Sequence, residues 1–186
     1  MESELYVGKL VRLTSFEPDE AAEAFSRWSR ESEFMRLQDS SMAVPWSTPW
    51  VRRWMDRDLE KDGFNSIEFA IRTLDGDRFI GSIGLADISL NNRDAYVGIG
   101  IGERSYWGKG FGTDAMQIIL RYAFNELNLH RVTLNVFEYN PRAIRSYEKA
   151  GFSHEGRMRN FLNRDGRRWD LIYMGILREE WVSRGQ

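Results

Sequence analysis

The chain has 186 residues, 42% hydrophobic and 29% charged, with a formal net charge of −2. That is the profile of an ordinary globular domain with a sizeable core, and it lacks the basic excess of a general nucleic-acid binder. With no cysteine there is no disulfide, thiolate metal site or acyl-cysteine intermediate, and His130 and His154 alone leave little for a metal site or a histidine-based triad.

The N-terminal MESELYVGKLV lacks the apolar core of a signal peptide, and no apolar run approaches membrane-spanning length, so the cytoplasm is the expected compartment. Leu5 to Phe16 alternates loosely and reads as a first strand. Glu17, Pro18 and Asp19 open a helix with Ala21, Phe25 and Trp28 on one stripe. The polar stretch RLQDSSMAVPW reads as a loop. Ser47 is placed to cap a second helix whose buried stripe is Val51, Trp54, Met55 and Leu59, with Gly63 near its end. Residues 67–73, 78–88 and 94–101 alternate as three strands, joined by turn chemistry at Asp75-Gly76 and Asn91-Asn92, which predicts an antiparallel meander.

From Phe111 the apolar period becomes helical, at 111, 115, 118, 119 and 122. Alternation returns over His130–Glu138, and a short helix follows from Pro141 to Ala150. The tail reads as two strands joined at Asp165-Gly166. No repeat or long linker interrupts this order, so the reading is a single α+β domain over 1–186 with its core in 8–178.

Two stretches carry chemistry. In SYWGKGFGTDA, Gly108, Gly110 and Gly112 fall between a strand and a helix, with Lys109 among them. A helix N-terminus exposes unpaired N–H groups and partial positive charge, and missing side chains let an anion approach the backbone. A tight turn with close helix–sheet packing explains the glycines equally well. The spacing fits neither a P-loop, whose lysine follows its second glycine, nor a dinucleotide fingerprint. Downstream, in EYNPRAIRSYEKAGF, Asn140 is an N-cap, Pro141 holds the first helical position and Gly151 ends the helix. Asn140, Ala143 and Tyr147 share one helical face, where a tyrosine is by itself more often core than catalyst.

Together, WGKGFG, the strand ending in Asn and NPRAIRSYEKAGF resemble the GNAT superfamily of acyl-CoA-dependent N-acetyltransferases, most closely its RimJ/RimL and spermidine-acetyltransferase-like branch. The resemblance is densest over Asp94–Asp170. It implies a mixed, mostly antiparallel sheet of about seven strands flanked by about four helices and splayed at the cofactor cleft. It also implies acetyl-CoA as co-substrate, no metal, no membrane or direct nucleic-acid partner, and a monomer or homodimer. The function implied is direct transfer of an acetyl group, through a tetrahedral intermediate, to a primary amine: a protein N-terminus, a polyamine or another small amine. A non-catalytic CoA-binding regulator is the alternative, and a phosphate-binding scaffold a third reading.

By the same resemblance, the backbone of Trp107, Gly108, Lys109, Gly110, Phe111, Gly112 and Thr113 would bind the pyrophosphate. Trp107 stands where the family usually has Gln or Arg. The backbone of Ile99 to Ile101 would pair with the pantetheine amides, Asn135 would lie beside that path, and Asn140 and Arg142 would meet the cofactor's distal half. Tyr147 matches the tyrosine at the thioester sulfur, where a phenol can protonate the leaving thiolate. Tyr96 replaces the common strand glutamate, so the base is open between waters, Glu138 and a perturbed Tyr96. Glu103 and Asp114 read as solvated surface groups. Met42, Trp46, Trp50 and Trp54 are candidates for the acceptor entrance or for the core. The cations Arg157, Arg159, Arg164, Arg167 and Arg168 of the tail hairpin read as a solvated, charged hairpin or a surface for an anionic partner.

Overall fold

A seven-stranded sheet in the order β1-β2-β3-β4-β5-β7-β6 organises the computed structural model, which describes residues 4–59 and 65–185. The chain runs β1 (Val11–Thr14), α1 (Pro18–Trp28), α2 (Ser32–Gln38), α3 (Thr48–Leu59), β2 (Ile67–Thr73), β3 (Phe79–Ser89) and β4 (Asp94–Ile101). It continues through α4 (Phe111–Arg121), β5 (Arg131–Phe137), α5 (Pro141–Ala150), β6 (Ser153–Arg164), β7 (Arg167–Leu177) and α6 (Arg178–Ser183).

Strands β2 to β4 pair antiparallel in sequence order, as the turn residues predict, with left-handed backbone at Gly76, Asp77 and Arg93 where the chain reverses, and β1 adds antiparallel to the outer edge of β2. Strands β4 and β5 are parallel but pair only over Asp94–Tyr96 with Arg131–Thr133. Beyond Tyr96 the two strands part, which leaves an open edge on β4, as the resemblance implies. The tail hairpin turns through Asp165 and Gly166, both at positive φ, which suits the right-handed twist of its strands.

Two apolar layers sandwich the sheet. On one face, Ala115, Met116, Ile118, Ile119 and Leu120 of α4 pack on Ile83, Val97, Leu134 and Met174. On the other, Ala21, Ala24 and Trp28 of α1 and Phe34 and Met35 of α2 meet Ala70 and Phe79.

The sequence reading needs correction at three places. β1 is four residues long, and of the described residues before it only Val7 makes a bridge, to Arg12. Residues Arg36, Leu37 and Gln38 belong to α2 rather than to a loop, and with α6 there are six α-helices among the described residues rather than about four. The α4 period is followed by a wider turn over Tyr122–Glu126. Gly63 lies outside the described residues.

Candidate active site at the splayed strands

A cavity of about 490 Å³ opens where β4 and β5 separate. It has two sides because side chains alternate along β4. Ile99 and Ile101 pack toward α4, whereas Gly98 and Gly100 face the α2 side, Gly100 beneath Gln38.

The glycine stretch leads into α4 with its backbone in left-handed conformations, φ +73° at Gly108 and +93° at Gly110, the latter the N-cap of α4. Those two glycines are explained by conformation alone. Gly112 is different. It sits in the helix, and a Cβ there would meet nothing closer than Ile99 and Ile101 at 3.8 Å. Neither strain nor crowding from the protein demands a glycine, and the space it leaves is part of the cavity. The first amides of this eleven-residue helix, which have no intrahelical partners, belong to residues that border that space, Gly112 and Thr113 among them. Gly98 likewise has nothing within 4 Å of a Cβ position. This is a cradle that fits an extended ligand with an anionic end.

Asn140 caps α5, its Oδ1 accepting from the Ala143 amide at 3.2 Å, and Gly151 ends the helix at φ +113°. Thr113 and Ser146 share a hydrogen bond of 2.7 Å that ties α4 to α5. Tyr147 projects from the middle of α5 onto the cavity wall, its ring 6.2 Å from Phe152. Burial pushes its phenol up to about 12, so it is a proton carrier and not a base at neutral pH. Among the described residues no group hydrogen-bonds its hydroxyl.

Trp107 does more than supply backbone. Its indole N–H donates to the Ile101 carbonyl at 2.7 Å, and the Arg142 guanidinium lies 3.9 Å from its ring centroid, with Arg104 at 5.0 Å. Burial lowers the Arg142 pKa from its ordinary value. The Ile101 carbonyl, at the end of the open β4 edge, thus already has one partner within the protein.

Of the residues that the sequence singles out for the cofactor, Ile99, Ile101, Trp107, Gly108, Gly110, Gly112, Thr113, Asn135, Asn140, Arg142 and Tyr147 line the cavity. Lys109 and Phe111 do not. Lys109 is exposed, and the Phe111 side chain stacks edge-on against Tyr106 at 4.9 Å in the main core.

Tyr96 lies on the wall at the last β4–β5 pair. Glu138 is not on it; its carboxylate accepts from the Asp170 amide at 3.2 Å. The described lining carries Arg142, Arg145 and Lys149 and no carboxylate or imidazole. Sequence reasoning missed Arg145, Ser146 and Lys149, although their spacing of three, four and seven from Arg142 puts them on one helical stripe. It also missed Gln38, which no sequence signal marks.

Glu103 and Asp114 are structural rather than merely solvated. The Glu103 carboxylate accepts from Trp28 at 2.9 Å and pairs with Arg27, and although burial works against it these partners lower its pKa. Asp114 accepts from three successive amides, Lys9, Leu10 and Val11, at 2.7–3.0 Å. Trp46 packs on the second core and stacks on Trp50, and Trp54 meets Phe25 edge-on. Met42 lines a separate cavity of about 340 Å³ against the hairpin tip. Most of the hairpin cations are engaged within the protein: Arg157 with Asp170, Arg164 with Tyr139 and three carbonyls, and Arg167 over Trp169.

No helix of the described residues is long and apolar enough to cross a membrane, and none of them form a group of three or more His, Asp or Glu suited to a metal ion. A family model described as an acetyltransferase (GNAT) domain matches residues 11–153. An uncharacterized N-acetyltransferase derived from the SPβ prophage of Bacillus subtilis (strain 168) is 32% identical over 161 residues, 82% of this chain and 83% of that protein. A spermidine N(1)-acetyltransferase from Vibrio cholerae is 35% identical over 107 residues, 58% of this chain and 61% of that protein. Among solved structures, the Vibrio cholerae spermidine N-acetyltransferase in complex with CoA and spermine superposes with a TM-score of 0.80 at 24% identity, covering 92% of this chain and 98% of that one, a likeness of fold. By its fold, its sequence and the matched model, this chain belongs to the GNAT family of N-acetyltransferases.

Proposed function

We propose that the splayed cavity takes acetyl-CoA and delivers its acetyl group to a primary amine. The observation that carries this reading is the parting of β4 and β5 after Tyr96, because it opens one cavity onto the α4 N-terminus, the free β4 edge and Tyr147 together. The donor supplies an activated acetyl thioester. The residues that would hold it are the α4 amides around Gly110 and Gly112 for the pyrophosphate, the β4 edge from Val97 toward Ile101 for the pantetheine arm, and Asn140 and Arg142 near the distal half.

Tyr147 is the catalytic residue in this reading. The amine nitrogen adds to the carbonyl carbon, the tetrahedral intermediate then collapses with loss of the carbon–sulfur bond, and Tyr147 passes a proton to the departing sulfur. The proton released by the amine balances the one that Tyr147 gives up. A phenol held fully protonated by its surroundings suits that task. A purely regulatory CoA binder has no use for an unpartnered phenol facing the cavity. The RimJ/RimL-like and polyamine branches both stay within this reading: one relative is named a putative ribosomal N-acetyltransferase of Bacillus subtilis, another a spermidine N(1)-acetyltransferase. The test is thiol release from acetyl-CoA against N-terminal peptides, polyamines, aminoglycosides and amino acids. Release dependent on one acceptor class is expected, and none with any amine overturns the reading.

A further inference from the structure

Helix α2 ends on Gln38, whose side-chain amide lies over Gly100 of β4. A Cβ on Gly100 would sit 2.7 Å from its Nε2 and 2.8 Å from its Oε1. The amide lines the cavity on the face of β4 away from α4 and makes no hydrogen bond among the described residues. Its helix end is nevertheless fixed. Arg164 of the hairpin donates to the carbonyls of Arg36, Asp39 and Ser41, and the Tyr139 hydroxyl donates to that of Arg36. Three bonds from β6 and one from the turn between β5 and α5 thus fix the helix end that carries this exposed carboxamide at the mouth of the cavity. Around it the wall is apolar or neutral: Phe34, Leu37, Ala86, Phe137 and the Tyr96 phenol.

We propose that Gln38 recognises the acceptor, and that the acceptor it fits is a primary amine carried next to an amide group, as at the N-terminal residue of a peptide. This rests on the acetyl-transfer reading above. A carboxamide offers one accepting oxygen and two donating N–H groups, which pair with the C=O and N–H of a peptide unit. A polyamine brings donors alone, so only the Gln38 oxygen can serve it. Basicity points the same way. An α-amine titrates near ~8 and an alkylamine near ~10.4, so about a tenth of the first but under about one in a thousand of the second is neutral at pH 7. The described lining offers no carboxylate or imidazole to take that proton, which favours an amine that is already neutral.

The test measures thiol release from acetyl-CoA with a short unblocked peptide, the matching free amino acid, which lacks the amide, and spermidine. The peptide is expected to exceed both others in kcat/KM by about tenfold or more. Gln38→Leu, of similar size, is expected to lower kcat/KM for the peptide by about tenfold, mainly through KM, while leaving the KM for acetyl-CoA unchanged. Gly100→Ala, which pushes the amide aside, is expected to reproduce that loss. Spermidine or the free amino acid outperforming the peptide, or Gln38→Leu leaving the peptide kcat/KM intact, overturns the proposal. Turnover with none of the three also overturns it; the acetyl-transfer reading falls with it only if the wider panel of aminoglycosides and other amines releases no thiol either.

Discussion

Single residues carry the chemistry, and Tyr147 carries the most. Replacing it by Phe keeps the ring against Phe152 and removes only the hydroxyl. The expected result is a fall in kcat of about 10²–10⁴-fold with little change in the KM for acetyl-CoA, measured by steady-state thiol release. Its pH behaviour follows from its raised pKa. The group keeps its proton below about 10 in the unfolded chain and up to about 12 in the folded one, so any stability it confers is full through neutral pH and lost only as pH rises toward 12. A pH–rate profile is therefore expected to rise with acceptor deprotonation and to show no alkaline limb from Tyr147 below about pH 10. Gly112 separates ligand binding from folding. Its backbone is helical and its Cβ position is open, so Gly112→Val is expected to melt near the wild-type temperature yet lose the CoA-induced rise in Tm. At Gly110, with φ at +93°, the same substitution would strain the fold as well, which makes Gly112 the informative position.

At the scale of elements, two side chains hold the cavity's borders in place. Asp114, in the first turn of α4, gathers the amides of Lys9, Leu10 and Val11 at the start of β1. Asp114→Ala leaves three amides without their charged acceptor, and urea unfolding is expected to show a loss of about 2–4 kcal/mol. Arg164 straps the end of α2 to the hairpin. Arg164→Ala is expected to speed amide exchange over residues 36–41 and to raise the KM of the acceptor but not of acetyl-CoA. These two residues also explain which elements the sequence discloses. Helix α5 is legible because Asn140, Pro141 and Gly151 encode its ends locally. Helix α2 is not: its N-cap position, Glu31, makes no side-chain capping bond, and its C-terminal end is held from the distant Arg164 and Tyr139. Strand β1 reads too long because the amides that precede it turn toward Asp114, some hundred residues away, instead of a neighbouring strand.

For the whole molecule, the meander, the α4 and α5 helices and the tail hairpin follow from periodicity and turn residues, so the architecture around the cavity is written in local signals. The parting of β4 from β5 is not. Nothing in DAYVGIGI tells where pairing with β5 stops, and that feature is reached through the resemblance to the acetyltransferase family. The same division runs through the site: the glycine cradle and Tyr147 stand out in sequence, whereas Gln38 depends on how α2 is docked against β4. The central claim is that the opened edge and the α4 N-terminus together form an acetyl-CoA site. Calorimetric titration of CoA into the folded wild-type protein tests it most directly. Saturable binding at one site per chain with a dissociation constant in the millimolar range or tighter is expected; folded protein that takes up neither CoA nor acetyl-CoA would rule the site out.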